Sequence, residues 1–317
     1  MTPRSRFSAS WNPTERDFTI LRDIGEHGLL DTRMIHQRHW PEGTEIRSCQ
    51  KRMAILKKEG LVCDAPLVVA RQISSQSPDR SKKFGGSLPT AYGLTPKGAE
   101  VLLEETGEAA KRISRSDPAP VTLLHRLGVV AVRLAFDKGA KAAGLAAPQW
   151  ILEQDTYSNA RLDQPAEKRH LLYERFRSGE NQDVSCRPDA SVLLQHSTGG
   201  DSSSPRFLVG YLEIDRSTNS PDRELGKSPG YDCLLRSGVV RQHWPCLHQA
   251  DADAVRIFYV CESVERIASL ASVLRDQPVA AFYRFGIKQE VLSEGVLREP
   301  IWRDTQGRRY AILRRSG

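Results

Sequence analysis

The sequence predicts an α+β protein of two domains, a winged helix-turn-helix domain followed by an α/β domain. The first domain, residues 1–106, is indicated by three short helical patterns and a strand, loop and strand after them. The second, residues 121–317, is indicated by strand, helix and strand patterns between Val255 and Phe285, a spacing typical of a right-handed parallel crossover. Residues 107–120 are polar, end in Asp117-Pro-Ala-Pro120 and are predicted to be a linker.

The bulk properties are those of an ordinary globular protein. A chain of 317 residues can bury two cores, and its net charge of +7 is compatible with a polyanionic partner such as nucleic acid. Its six cysteines are scattered without a C-x-x-C pair, which favours reduced thiols in the cytoplasm. Because no apolar run reaches membrane-spanning length, we expect a cytoplasmic protein without a membrane partner.

The first three helices have readable boundaries. Helix 1 begins after Thr14 and ends at Gly28, helix 2 begins at Asp31 or Thr32, and helix 3 spans residues 44–59. The apolar stripe of helix 3 is Ile46, Cys49, Met53 and Leu56. Its opposite face carries side chains that could reach base edges in a major groove, namely Arg47, Ser48, Gln50 and Lys51.

A strand, loop and strand pattern follows helix 3 and predicts a long basic wing. Residues 67–72 and 90–94 are the strands, and the loop between them contains Arg80, Lys82 and Lys83. These three side chains are predicted to contact DNA phosphates and to make binding dependent on salt. The alternative is a small protein-binding module whose charged helix face is only solvated.

The second domain is organised around a predicted hairpin. Residues 192–195 and 207–214 read as strands, and the Ser/Gly-rich turn between them is taken to be symmetric about Asp201. That symmetry puts Asp189 almost opposite Glu213, and the two-residue strand period puts Glu213 and Asp215 on one face. Three carboxylates would then converge where oxygen ligands suit Mg²⁺. The alternative is a strand end whose acidic side chains are simply solvated.

Two later segments bear on this site. Residues 223–236 read as partly helical, with Pro229-Gly230 expected to kink or end the helix. The C-terminal tail is basic and could touch phosphate, through Arg308, Arg309, Arg314 and Arg315. No pattern assigns residues 154–185.

Several short motifs together carry a family resemblance. They are Glu15-Arg-Asp-x-x-Ile-Leu21, Leu94-Thr-x-x-Gly98, His125-Arg126, Trp150-x-x-Glu153, Arg187-Pro-Asp-Ala190, Leu212-Glu-Ile-Asp-Arg216, and Lys227 with Tyr231. The sequence resembles the replication-relaxation family, bacterial proteins of plasmids and other mobile elements that are named for plasmid replication and DNA relaxation.

The resemblance implies a winged helix joined to a domain similar to the PD-(D/E)XK nuclease fold. In that fold an Asp and a Glu hold Mg²⁺, and a lysine two residues after the Glu orients the attacking water. Asp189 and Glu213 match the carboxylates, but Asp215 occupies the lysine position. Asp189, Glu213 and Asp215 are therefore the expected metal ligands, and Lys227 is the candidate for the missing lysine. Because that lysine is displaced, we expect the nuclease-like domain to be inactive.

Three functions follow as hypotheses. The first is a DNA-binding protein of a plasmid or other mobile element that acts in replication, relaxation or its control. The alternatives are a Mg²⁺-dependent DNA endonuclease that uses Asp189, Glu213, Asp215 and Lys227, and a winged-helix transcription regulator with a sensing domain. The expected partners are double-stranded DNA and other plasmid replication or transfer proteins, and a homodimer is compatible with all three.

Overall fold

The structure is a computed structural model that describes residues 12–65, 90–114, 120–161, 163–178, 182–196, 206–217, 219–247 and 255–313. The chain divides into two compact units, Met1–Ala131 and Val132–Gly317. The predicted linker at residues 107–120 precedes this division. Arg112 and Ser114 within that stretch donate backbone N–H bonds to Gly25 and Leu94 of the first unit.

The first unit combines helices with a small antiparallel sheet of order β1-β3-β2. Its elements are α1 (Glu15–His27), β1 (Leu30–Asp31), α2 (Thr32–His39), α3 (Ile46–Lys58), β2 (Val62–Ala65), β3 (Ala91–Leu94) and α4 (Pro96–Thr106). A long helix, α5 (Pro120–Ala142), follows them and crosses the division between the units.

Local sequence signals set the ends of these helices. Thr14 and Asp17 form the expected capping box on α1, and Gly28 ends the helix in the left-handed conformation at φ 79°. The Oδ1 atom of Asp31 accepts a 2.8 Å bond from the Met34 N–H, which identifies Asp31 as the cap of α2. Both predicted ends of α1 and the predicted start of α2 are thus confirmed.

Helix α3 packs through Cys49, Met53 and Leu56, as its periodicity predicts. Ile46 was expected in the same stripe, but it is 39% exposed because it occupies the first residue of the helix, before the buried face begins. At the start of α4, a Cβ atom on Gly98 would collide with the Leu61 carbonyl oxygen. The Leu94-Thr-x-x-Gly98 step therefore needs a glycine for close backbone packing.

The second unit is built on a seven-stranded mixed sheet. Its strands are β4 (Gln149–Leu152), β7 (Ala190–His196), β8 (Arg206–Ile214), β9 (Val255–Cys261), β10 (Tyr283–Ile287), β11 (Trp302–Arg303) and β12 (Arg309–Tyr310). Their order in the sheet is β12-β11-β10-β9-β8-β7-β4. A separate hairpin joins β5 (Glu174–Ser178) and β6 (Gln182–Cys186). The helices are α6 (Ala166–Arg169), α7 (Pro221–Leu225), α8 (Ser228–Arg236), α9 (Val239–His243), α10 (Val264–Leu274) and α11 (Lys288–Val291), with 3-10 turns at Pro245–Leu247 and Ala280–Phe282.

Two sequence predictions for this sheet are confirmed. Strands β7 and β8 pair antiparallel as a hairpin, and β9 and β10 pair in parallel with α10 between them in the chain. The sequence pattern predicts the second crossover strand over residues 280–285, and its start was wrong: the strand begins at Tyr283, because residues 280–282 form a 3-10 turn. The coarse architecture is therefore α+β with a large mixed sheet.

Aromatic side chains fill both faces of this sheet. On one face, Phe136 of α5 meets Phe258 and Trp302 edge to face, with ring centroids 6.0 and 6.2 Å apart. The opposite face carries Tyr211 and Tyr259, both fully buried. Glu213 lies two residues after Tyr211 and so points into this second, tyrosine-lined face. Across the described ranges, no helix combines the length and the apolar character needed to cross a bilayer.

Candidate carboxylate and lysine site

The hairpin register places Asp189 and Glu213 side by side. Ala190 pairs with Leu212 in the β7–β8 ladder, so the next step brings Asp189 opposite Glu213. The Asp189 N–H donates to the Leu212 carbonyl at 3.0 Å, and its Oδ2 atom accepts a 2.7 Å bond from the Ile214 N–H. The register predicted from a turn symmetric about Asp201 is confirmed.

Glu213 is a buried carboxylate with both oxygens engaged. Its Oε2 atom accepts a 2.7 Å bond from Lys227 Nζ, and its Oε1 atom accepts a 2.5 Å bond from the Tyr231 hydroxyl. Burial raises the pKa of Glu213 to about 7, against the lowering effect of Lys227 and with a further rise from Asp189. This carboxyl therefore changes its charge close to neutral pH.

Lys227 reaches Glu213 although the pair Pro229-Gly230, which was expected to kink or end the helix, follows it closely. The helical stretch is interrupted at Gly226 and Lys227, between α7 and α8, and Pro229 lies in the first turn of α8, where proline is tolerated. Lys227 is the residue that precedes this helix, and its Nζ atom lies between Glu213 and Glu224, 2.9 Å from Glu224 Oε2. The prediction that Pro229-Gly230 would kink or end the helix was wrong, because both residues lie within α8.

The lysine is held as a cation. Burial alone lowers the pKa of Lys227, but the attraction of Glu213 and Glu224 outweighs it and raises the pKa above the ordinary value. Glu224 also accepts a 2.7 Å bond from Asn219 Nδ2 and a 3.4 Å contact from the Tyr259 hydroxyl. Glu224 and Asn219 were missed at the sequence level. The one available signal was the three-residue spacing of Glu224 and Lys227, which puts them on one side of a helical turn.

Asp215 has a different partner from the other two carboxylates. Strand β8 ends at Ile214, and the Arg266 guanidinium binds Asp215 through two bonds of 2.6 and 2.9 Å. Arg266 also donates to the Asn219 carbonyl at 2.9 Å. Asp215 is buried, and its charge is neutralised by the bidentate ion pair with Arg266. Asp215 therefore does not converge with Asp189 and Glu213, contrary to the prediction.

These contacts decide how well a divalent cation would fit. Among the described residues, Asp189, Glu213 and Asp215 do not form a group in which one carboxylate oxygen from each lies within 4.8 Å of the other two. Lys227 and Tyr231 hold the Glu213 oxygens, and Arg266 holds those of Asp215. In this arrangement the three side chains do not fit a single Mg²⁺ site. Metal binding, and catalytic roles for these residues with Lys227, stay predictions.

Contacts of Arg187 also hold the Arg187-Pro-Asp motif in place. Arg187 Nη2 lies 3.1 Å from Glu153 Oε1, and its guanidinium carbon lies 5.6 Å from the centre of the Tyr173 ring. The Glu153 N–H also donates to the Asp189 carbonyl at 3.0 Å. The Trp150-x-x-Glu153 strand therefore anchors the segment that carries Asp189.

The predicted DNA-contacting residues fall into two groups. Arg47, Ser48, Gln50 and Lys51 are all exposed on α3, on the side away from its buried residues. Arg80, Lys82 and Lys83 lie outside the described residues. In the first unit, the exposed face of α3 is thus available to a binding partner.

Fold and site together define a mixed α+β protein whose central sheet carries a buried cluster of carboxylates neutralised by a lysine and an arginine. The sequence profile of replication-relaxation matches residues 21–244, and the chain belongs to this family. No curated protein matches the sequence at a significant level.

One solved structure is similar in part, the restriction endonuclease FokI bound to DNA. It shares 11% sequence identity with this chain at a TM-score of 0.27, and the alignment covers 90% of this chain. This chain spans about half of the FokI chain, 46% of its length.

Proposed function

We propose that this protein binds duplex DNA and acts in the replication or relaxation of a plasmid or other mobile element, with a nuclease-like second unit that does not cleave. The family match over residues 21–244 carries the proposal, because the family is named for these two processes. The first unit supplies the DNA-binding surface, and the second unit contributes to assembly or to further DNA contact.

The order of elements in the first unit supports a winged helix. Helices α1, α2 and α3 are followed by β2 and β3. Strand β1 pairs with β3 and completes a three-stranded sheet. In a winged helix the third helix enters the major groove and the loop between the last two strands lies against the backbone. Arg47 and Lys51 lie on the exposed face of α3, where both can meet phosphate or a guanine edge.

Removing positive charge from α3 tests this unit. The Arg47→Ala/Lys51→Ala double variant should lower the slope of log K against log salt by about two, because each lost phosphate contact removes about 0.9. A binding-site selection with the Gln50→Ala variant should also relax the preferred sequence.

The matched control is Arg22→Ala/Lys111→Ala, which removes the same charge from exposed ion pairs with Glu108 and Glu26 in the same unit. We expect the control to keep the salt slope of the unaltered protein. Equal slopes in both double variants would rule out α3 as the DNA-contacting helix.

The contacts of the buried cluster support the view that the second unit does not cleave. A metal-dependent nuclease needs carboxylate oxygens that a cation can bind, but those of Glu213 and Asp215 already face Lys227, Tyr231 and Arg266. One observation favours the endonuclease alternative. Lys227 Nζ lies 2.7 Å from Glu213, and Asp189 lies opposite Glu213, so one acidic pair and one lysine do come together.

A cleavage assay separates the two functions. Supercoiled, linear and single-stranded DNA are incubated with the protein in Mg²⁺, in Mn²⁺ and in chelator, beside a Glu213→Gln variant. We expect duplex binding in all three conditions and no cleavage by either protein. Metal-dependent nicking that disappears in Glu213→Gln would overturn the proposal and establish the endonuclease. Metal-dependent nicking that persists in the variant would point to a contaminating nuclease and is checked by repurification.

A further inference from the structure

A cluster of arginines lies on the sheet face opposite the carboxylate cluster, toward the edge formed by β11 and β12. Arg284 of β10 pairs with Phe258 of β9, and Arg256 lies two residues before Phe258. The two arginines therefore share one sheet face as diagonal neighbours, about 7–8 Å apart at their Cα atoms. Arg308 leads into β12, and Tyr310 of that strand packs against Arg284.

The contacts of Arg284 keep its guanidinium in place. Its Cζ atom lies 4.7 Å above the centre of the Tyr310 ring, and its Nη1 atom donates to the carbonyls of Ala281 at 3.0 Å and Tyr283 at 2.6 Å. Within the described part of the chain, Arg284 has no carboxylate partner. A half-buried cation is thus held by a ring and two carbonyls rather than by a direct ion pair.

The positive charges of neighbouring arginines disfavour the charged form of Arg284 when no anion is bound. Burial lowers the pKa of Arg284, and the nearby positive charges of Arg256 and Arg308 lower it further. Asp304 and Tyr310 act in the opposite direction and raise the pKa of Arg284, but Asp304 is already bonded to Arg308 Nε at 2.8 Å and to the Tyr310 hydroxyl at 3.0 Å. An anion bound between the arginines would relieve the repulsion among them.

We propose that Arg256, Arg284 and Arg308, with Tyr310 as a platform, form a second DNA-contacting surface that binds the phosphate backbone. The surface supplies planar guanidinium groups suited to phosphate oxygens and offers no set of donors and acceptors arranged to read bases. Its contribution is therefore independent of sequence. This inference rests on the proposed function, which it extends from α3 of the first unit to the sheet of the second.

The test measures binding of the full-length protein to a duplex of arbitrary sequence between about 50 and 200 mM salt. The Arg284→Gln/Arg308→Gln variant should lower the salt slope by about two relative to the unaltered protein. Arg284→Lys keeps the charge and should retain most of the slope. The matched control, Arg161→Gln/Arg236→Gln, removes two charges from exposed ion pairs elsewhere in the second unit and should leave the slope unchanged.

If the double variant does not fold, Arg308→Gln alone decides, because that side chain is 65% exposed and its loss should lower the slope by about one. An unchanged slope in a folded variant overturns this surface. When Arg47→Ala/Lys51→Ala still lowers the slope in the same series, the proposed DNA-binding function survives and only the second surface fails. Absence of any duplex binding by the unaltered protein at low salt overturns both.

Discussion

Replacing Lys227 with methionine should lower the free energy of unfolding by about 3 kcal/mol at pH 8. The change removes a cation that contacts both Glu213 and Glu224, whose side chains are only 4% and 3% exposed. Breaking a buried ion pair costs more than the pair contributes, because an uncompensated charge is left behind. The expected loss is at the lower end of the usual range, since the Lys227 side chain is 37% exposed and water takes part of its place.

Denaturant unfolding at pH 8 and pH 5 measures this effect. The loss should be smaller at pH 5, where Glu213 is protonated and needs no cation. The matched control is Lys138→Met, which breaks an ion pair with Glu294 whose two side chains are 65% and 68% exposed. We expect little change there.

A compensating variant separates lost charge balance from lost packing. Lys227→Met combined with Glu213→Gln and Glu224→Gln removes the buried charges together and should recover much of the stability. A Lys227→Met loss that is equal at both pH values and is not recovered in the triple variant would refute the ion-pair explanation.

The sequence could predict the hairpin because its register depends on local information. The turn formers between residues 197 and 205 have their centre at Asp201, and strand pairing then fixes Asp189 against Glu213 by counting residues. The helix caps at Thr14 and Asp31 are equally local, since each bond spans three residues. Interactions of this kind can be predicted from one sequence because no distant partner enters them.

The partners of the acidic residues could not be predicted in the same way. Asp215 was assigned to the metal site by the two-residue period, but its bonds go to Arg266, 51 residues further along the chain. That pair forms because the parallel β8–β9 pairing brings the start of α10 beside the end of β8, a tertiary arrangement that no local pattern encodes. The effect of Pro229-Gly230 was misjudged for a related reason. A proline in a helical pattern can end one helix or begin the next, and only the packed structure distinguishes the two.

Glu213 should make the stability of the protein depend on pH between about 4.5 and 7. Its pKa is about 7 in the folded protein and 4.5 as the ordinary value, so folding takes up a proton in this interval. The stabilisation from this group is complete below pH 4.5 and is lost as the pH rises toward 7. At about 1.4 kcal/mol per pH unit, the loss over the interval is on the order of 3 kcal/mol.

The Glu213→Gln variant isolates this effect, because glutamine occupies the same space and does not titrate. We expect the free energy of unfolding of the unaltered protein, minus that of Glu213→Gln, to fall steadily between pH 4.5 and 7 and then to level. Glu294→Gln serves as the control, since it removes a carboxylate that is 68% exposed and pairs with an exposed lysine. A flat difference for Glu213→Gln would mean that Lys227 and Tyr231 keep Glu213 ionised throughout. The cluster would then be a permanent ion pair rather than a group that gains a proton near neutral pH.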